Sequence, residues 1–403
     1  MLTKEELKEL VIKEQEDLQL NAGIKRDLAI NIKPRFASIV SGVRRCGKST
    51  FARQLLKQKK PVYYLNFENI ALSGFNQEDF LWLDKVFRET LGERGIYFFD
   101  EIQNIPRWET YVRNLVDKNN KVLITGSNAS MLSRELGTKL TGRHLSYALY
   151  PFSFNEFLRL KKKKPSKNSF YEYLKKGGFP EYLKTSHKDI IRNLFQDIFY
   201  RDILVRNEFR SEAAIKHLLS YISSNISRPI SYNKLKTIVG VGSVNSITHF
   251  MDSFEQAYLF FQLKKYEHSY KKQLVAPKKI YCIDNAFINL NSFSISPDYG
   301  RLLENTVFLE LLRQGHNIYY HSKNHECDFV VMKGTKITKA LQVCYQLTPE
   351  NKEREIAGLT EACKTHNLKE GFIITFNQED EFIESKIKIS LIPAWKWLLE
   401  KKY

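Results

Sequence analysis

Residues 41–50 read SGVRRCGKST, and this stretch decides the fold of the N-terminal half. Gly42-Val43-Arg44-Arg45-Cys46-Gly47-Lys48-Ser49 satisfies the spacing G-x-x-x-x-G-K-[ST], the glycine-rich loop whose backbone N–H groups cradle phosphates. The flanks agree with it. The apolar run FASIVSG (36–42) predicts a strand, and STFARQLLKQ predicts a helix opening at Ser49. Gly42 and Gly47 let the backbone turn inward. Lys48 offers a cation to the β/γ-phosphates, and Ser49 offers a hydroxyl to Mg²⁺. The helix N-terminus, with Thr50 in its first turn, adds a favourable dipole. Gly42 through Thr50 is therefore expected to bind ATP with Mg²⁺. A plain glycine-rich turn would not need the lysine, the hydroxyl and the strand-to-helix context together.

A second motif completes the first. In GIYFFDE (95–101) an apolar run leads straight into Asp100 and Glu101. Asp100 is expected to hold Mg²⁺ through water, and Glu101 to polarise the attacking water as general base. The plain alternative is a carboxylate pair capping the next helix. After the strand KVLITGS (121–127), the run TGSNAS places Asn128 or Ser127 where a polar side chain could orient the water or contact the γ-phosphate. An ordinary helix cap explains it equally well. LTGRHL (140–145) sets Arg143 just ahead of the strand RHLSYALYP. Arg143 is open to three readings: an arginine finger for a neighbouring subunit, a sensor in its own subunit, or a plain surface arginine.

Composition bounds the rest. The chain has 403 residues, and roughly 100–200 residues per domain implies two to four domains. Hydrophobic residues make up 43%, enough for each to bury a core. No apolar run approaches the ~18 residues of a membrane span. The N-terminus, MLTKEELKELVIKEQEDL, is charged and helix-periodic and lacks the apolar core of a signal peptide. A cytoplasmic location with no membrane partner is expected. Cys46, Cys282, Cys327, Cys344 and Cys363 show no C-x-x-C pairing, so reduced thiols are expected rather than disulfides or a zinc site. The formal charge of +18 makes nucleic acid a candidate partner. A lysine-rich solubilising surface explains it as well, since the lysines are dispersed apart from KKKK at 161–164.

Further strands are predicted at PVYYLNFEN (61–69) and at the motifs above, separated by helical stretches. That alternation predicts a mostly parallel sheet covered by helices. Residues 169–224 read as aromatic-rich helices broken by GGFP at 177–180. Residues 231–263 read as a short helix, a glycine turn and a longer helix before the strand YLFFQLKKY, with KKIYCID following. This is helix-turn-helix and wing patterning. Its second helix, SVNSITHFMDSFEQ, has no Arg or Lys for reading bases. From residue 300 a helix, GRLLENTVFLELLRQG, precedes three strands, a helix and the strand GFIITF.

In their order, GVRRCGKST, FFDEIQNIPRWETYVRNLVD, ITGSNASML, LTGRHLSYALYPFSFNEF and GGFPEYL resemble the prokaryotic AAA-type ATPases of the STAND-like archaeal ATPase group. The resemblance covers nearly the whole chain. It implies an AAA core, a helical segment, a winged helix and a C-terminal domain resembling restriction endonucleases. It also supports roles for Lys48, Ser49, Asp100, Glu101 and Asn128, and does not fix the role of Arg143.

The expected organisation is α/β throughout. It has an N-terminal helix (1–30), an AAA-type P-loop ATPase domain (31–155), a helical segment (156–225), a winged-helix-like domain (226–290) and a small nuclease-like domain (291–403). A nuclease core of the PD-(D/E)xK kind needs a helix glutamate, a strand aspartate and E-x-K on the next strand. Here Glu304, Asp328 and Gln342-Val343-Cys344 fill those places. A neutral thiol at Cys344 cannot replace the lysine that positions water beside the metal. An inactive domain is expected. The function that follows is a Mg²⁺-dependent ATP-binding protein, a slow ATPase serving as a conformational switch. An ATP-gated nucleic-acid binder with negligible turnover is the main alternative, and an ATP-regulated nuclease the weaker one.

Overall fold

Five short strands, β1 (Ala37–Ser41), β2 (Val62–Asn66), β3 (Ile96–Asp100), β4 (Val122–Gly126) and β5 (His144–Ala148), form one parallel sheet in the order β2-β3-β4-β1-β5. Strands β1 to β4 are almost continuously apolar and buried, as strands covered on both faces must be. β5 is the more exposed edge strand. The computed structural model describes residues 3–18, 23–59, 61–127, 142–207, 209, 211–291 and 298–400.

The chain divides into two compact units, Met1–Tyr150 with Gln256–Tyr258, and Pro151–Glu255 with Leu259–Tyr403. In the first, the helices Lys48–Leu56, Asp79–Leu91 and Trp108–Asp117 accompany the sheet. The N-terminal helix Lys4–Leu18 is not a separate element. Its Leu7, Leu10 and Val11 join the core made by Phe80, Leu83 and Phe87 of the helix Asp79–Leu91 and by the sheet. Burial of each such side chain is worth about 1.5–3 kcal/mol.

The second unit begins with the helix Phe154–Lys161, started by a reciprocal Ser153–Glu156 capping box. Helices Lys167–Lys176 and Pro180–Thr185 follow, separated by Gly177 and Gly178. The pair is sterically required. Gly177 has φ +67°, and a Cβ there would stand 1.7 Å from Asp284 Oδ1; one on Gly178 would stand 2.3 Å from the Phe152 carbonyl oxygen.

Helices Tyr232–Val239 and Val244–Gln256 are joined through Gly240 in the left-handed region. They sit beside a small sheet ordered β6-β8-β7, from β6 (Pro229–Ile230), β7 (Phe260–Leu263) and β8 (Lys278–Cys282). A mixed sheet of six strands completes the unit, ordered β13-β14-β12-β11-β10-β9. Its strands are β9 (Asn317–Ser322), β10 (Glu326–Lys333), β11 (Lys336–Cys344), β12 (Glu370–Thr375), β13 (Asp380–Glu384) and β14 (Ile387–Pro393). β9, β10 and β11 run antiparallel, then β11, β12 and β14 run parallel. The crossover from β11 to β12 is the helix Pro349–Thr365, and the helix Tyr299–Arg313 precedes β9. All five cysteines are free and buried.

Candidate functional site

β1 delivers the loop at its C-terminal end. Gly42 lies so close to β5 that a Cβ on it would meet the Leu149 carbonyl oxygen at 2.1 Å. Gly47 has φ 98° and precedes the helix Lys48–Leu56, a conformation that glycine adopts without strain. Arg26 holds the loop from outside. Its Nη1 donates to the Cys46 carbonyl at 3.0 Å and its Nη2 to the Tyr150 carbonyl at 2.6 Å. The Cys46 thiol donates to the Leu149 carbonyl at 3.3 Å, and burial pushes its pKa up. Cys46 thus braces the loop as a packed thiol. Arg44 pairs with Glu68 at 3.1 Å.

Lys48 is buried and pairs with Glu101, Nζ to Oε1 at 3.2 Å. It also donates to the Gly42 and Val43 carbonyls at 3.3 and 3.4 Å. Burial, the largest effect, works against the ammonium, but Glu101, Cys46 and Asp100 together outweigh it and raise the Lys48 pKa. For Glu101 burial, the largest effect, favours the neutral acid, and Lys48, Gln103 and Arg44 together overcome this to hold the carboxyl below its usual range. Glu101 sits in the left-handed region at φ 52°, a costly conformation for a side chain with a Cβ and one that clusters at functional sites. Gln103 Nε2 at 2.5 Å and the Ser127 N–H at 3.1 Å both donate to Glu101 Oε2.

Asp100 is buried at the end of β3 and bonded to the hydroxyls of Thr125 and Ser49. Burial, then the neighbouring Glu101 charge, pushes its pKa up to about 6. Thr125 Oγ1 also accepts the Glu101 N–H at 3.2 Å. β4 lies between β1 and β3 in the sheet, so the end of β4 touches both motifs. The residues present fit a polyphosphate with Mg²⁺. A hydroxyl and a buried carboxyl stand in contact at the helix start, beside a loop whose first glycine, Gly42, has no room for a Cβ. Ser127 is 1% exposed, and its hydroxyl finds no hydrogen-bond partner among the described residues.

The structure thus brings together Gly42–Ser49, Asp100, Glu101 and Ser127. Asn128 lies outside the described residues. Arg143 stands elsewhere. It precedes β5, whose first residue pairs with Ala37 and whose last pairs with Ser41. Parallel strands share one polarity, so a residue entering a strand lies at the opposite edge from a loop leaving one. Four strand steps and one flanking step at each end separate them by roughly 20 Å at about 3.3 Å per residue. Arg143 is half exposed and ion-paired with Asp117; it does not reach the loop of its own chain. Thr125 and Arg26 belong to the site and were not singled out by sequence. Thr125 is the last polar residue of an apolar strand, the one local signal it gives.

In the second unit, Glu304, Asp328, Gln342 and Cys344 border one cavity of about 600 Å³. Asp328 Oδ2 accepts the Val343 N–H at 2.9 Å. Gln342 Oε1 accepts the Asp328 N–H at 3.2 Å, and its Nε2 donates to Glu355 at 2.6 Å. The Cys344 thiol donates to the Gln346 carbonyl at 3.1 Å, and burial pushes its pKa up to about 11. It is a thiol, not a thiolate, at neutral pH. Lys279 of β8 contacts Asp328, Glu304 and Glu326 at 2.7, 3.1 and 2.8 Å. Burial opposes its ammonium, and Asp328 and Glu304 more than compensate. Burial and Asp328 push Glu304 up.

A phosphate loop and buried carboxylates at the C-terminal edge of a parallel sheet define an AAA-type P-loop protein, and ATP is the ligand this class takes. The family described as AAA domain matches residues 34–158, and two domains of unknown function, DUF8612 and DUF4143, match 167–295 and 299–397. The chain belongs to one family with the uncharacterised protein MJ1544 of Methanocaldococcus jannaschii, 35% identical over 99% of this chain and 96% of that one. An uncharacterised protein of Haemophilus influenzae is 31% identical over 78% of this chain and 84% of its own length. The Holliday junction branch migration motor RuvB of Thermotoga maritima aligns at TM-score 0.29 and 14% identity, over 64% of this chain and 88% of that one. No helix among the described residues is long and apolar enough to cross a membrane.

Proposed function

We propose that this protein is a Mg²⁺-dependent ATP-binding switch that hydrolyses ATP slowly. The observation that carries the reading is the Lys48–Glu101 pair at 3.2 Å. One residue serves the phosphates and the other serves the water, and the two are paired with each other. Phosphate arriving at Lys48 competes for its ammonium and releases Glu101. Binding is thereby coupled to freeing the base. Ser49 and Asp100 would hold Mg²⁺, which supplies charge neutralisation along the polyphosphate. Glu101 accepts the proton of the attacking water, with Gln103 and the Ser127 N–H fixing its direction. Phosphate release from ATP, followed with and without DNA, tests the reading. Absence of any turnover leaves a binding switch alone.

The alternative of nucleic-acid binding draws support from the segment joining β7 to β8. Residues 264–278 carry Lys264, Lys265, Lys271, Lys272 and Lys278 against Glu267, with Tyr270 70% exposed. Such a segment suits a phosphate backbone, whereas the helix Val244–Gln256 offers no cation. Duplex DNA affinity should then fall linearly with log salt concentration, and replacing Lys271 and Lys272 by Ala should flatten the slope by about 1–2. No binding at ~50 mM salt leaves the charge as solubilising surface.

The C-terminal domain is proposed to be nuclease-like and inactive, because Cys344 borders the cavity as a neutral thiol. Plasmid, linear and single-stranded DNA and RNA should all survive incubation with Mg²⁺ or Mn²⁺. Cleavage that disappears in Asp328→Ala would show an active site.

A further inference from the structure

We propose that Lys279 is the resident cation of the acidic cavity, holding Glu304 and Asp328 together in place of a divalent metal ion and keeping that ion out. Its side chain is 1% exposed, and its Nζ lies 2.7 Å from Asp328 Oδ1, 3.1 Å from Glu304 Oε1 and 2.8 Å from Glu326 Oε1. These oxygens come from a helix and from β10, and the ammonium is their common neighbour. Buried carboxylates so close together need a cation between them.

Asp328, Gln342 and one oxygen of Glu304 are further engaged. Asp328 Oδ2 takes the Val343 N–H. Tyr281, two residues along β8 from Lys279, donates to Glu304 Oε1 at 2.7 Å. Gln342 turns its oxygen to the Asp328 N–H and its amide N–H to Glu355. A metal entering from the cavity would meet an Asp328 with both oxygens committed, and a positive charge directly behind the carboxylates.

The approach of Lys279 also decides what it does not do. Glu304, Asp328 and Glu326 line the cavity, but neither Lys279 nor Tyr281 borders it. The ammonium reaches the carboxylates from the rear. A phosphate in the cavity would not touch it, so Lys279 does not restore the lysine absent at Cys344. Its role is to position the carboxylates and to exclude the ion. It also ties the small sheet ordered β6-β8-β7 to the six-stranded sheet.

The test is Mn²⁺ binding to the full chain without nucleotide, followed by electron paramagnetic resonance. The wild type should show no site that depends on Asp328. Lys279→Met should gain one Mn²⁺ site, at least tenfold tighter than any binding by the wild type, and Lys279→Met with Asp328→Asn should lose it. Lys279→Arg, which keeps a cation, should behave as the wild type. Thermal melts give a second readout, since Mn²⁺ should raise the Tm of Lys279→Met or Lys279→Gln and leave the wild type unmoved. Wild-type Mn²⁺ binding abolished by Asp328→Asn would overturn the proposal. So would a folded Lys279→Met or Lys279→Gln that gains no site.

Discussion

Glu101→Gln is expected to bind ATP at least as tightly as the wild type and to turn it over about 10²-fold or more slowly, the cost of losing a general base. The geometry gives both halves. The glutamine oxygen can still accept the Ser127 N–H that Glu101 now accepts at 3.1 Å. Its other terminal group is an amide NH₂ and cannot pair with Lys48, which Glu101 holds at 3.2 Å. Lys48 is therefore released toward incoming phosphate before binding, so affinity is kept or improved. No proton acceptor remains beside the water. Isothermal titration and phosphate release on one preparation check the two parts together. Full turnover in the variant would assign the base to another residue.

The site was legible in sequence to the extent that its parts are local. FASIVSG gave β1, and GIYFFDE gave β3 with Asp100 and Glu101 at its end, because an apolar strand and the residue following it are fixed by a few neighbouring positions. Thr125 opens the run TGSNAS, and nothing local in that run marks it out. Its importance depends on β4 lying between β1 and β3, and sheet order is not written in any one segment. Arg143 is the opposite case. Its place just ahead of a strand implied the far edge of a parallel sheet, which counts against a sensor in its own subunit and leaves the arginine-finger and surface-arginine readings standing. Lys279 was not readable at all. It lies 25 residues from Glu304 and 49 from Asp328, on a strand of a different sheet. Nothing in β11 or its neighbouring strands indicates a cation that comes from another sheet.

The same ion pair makes Lys48→Ala a test with two separable results. ATP affinity should fall at least tenfold, or about 1.4 kcal/mol, because the cation nearest the β/γ-phosphates is gone. Stability without nucleotide should fall as well. Glu101 is buried, and its counter-charge at 3.2 Å is removed, the situation in which breaking a buried pair costs about 3–5 kcal/mol. Gln103 and the Ser127 N–H still support the carboxylate, which puts the expected loss at the lower end. Adding Glu101→Gln removes the stranded charge. The double variant should therefore recover most of the lost Tm and none of the lost affinity. Denaturant melts without nucleotide and titration with ATP measure the two axes independently. Unchanged affinity in a folded Lys48→Ala would remove Lys48 from the phosphate site. Failure of Glu101→Gln to restore stability would mean that the pair at 3.2 Å is not what Lys48 contributes to the empty fold, and the proposed coupling of phosphate binding to release of the base would lose its support.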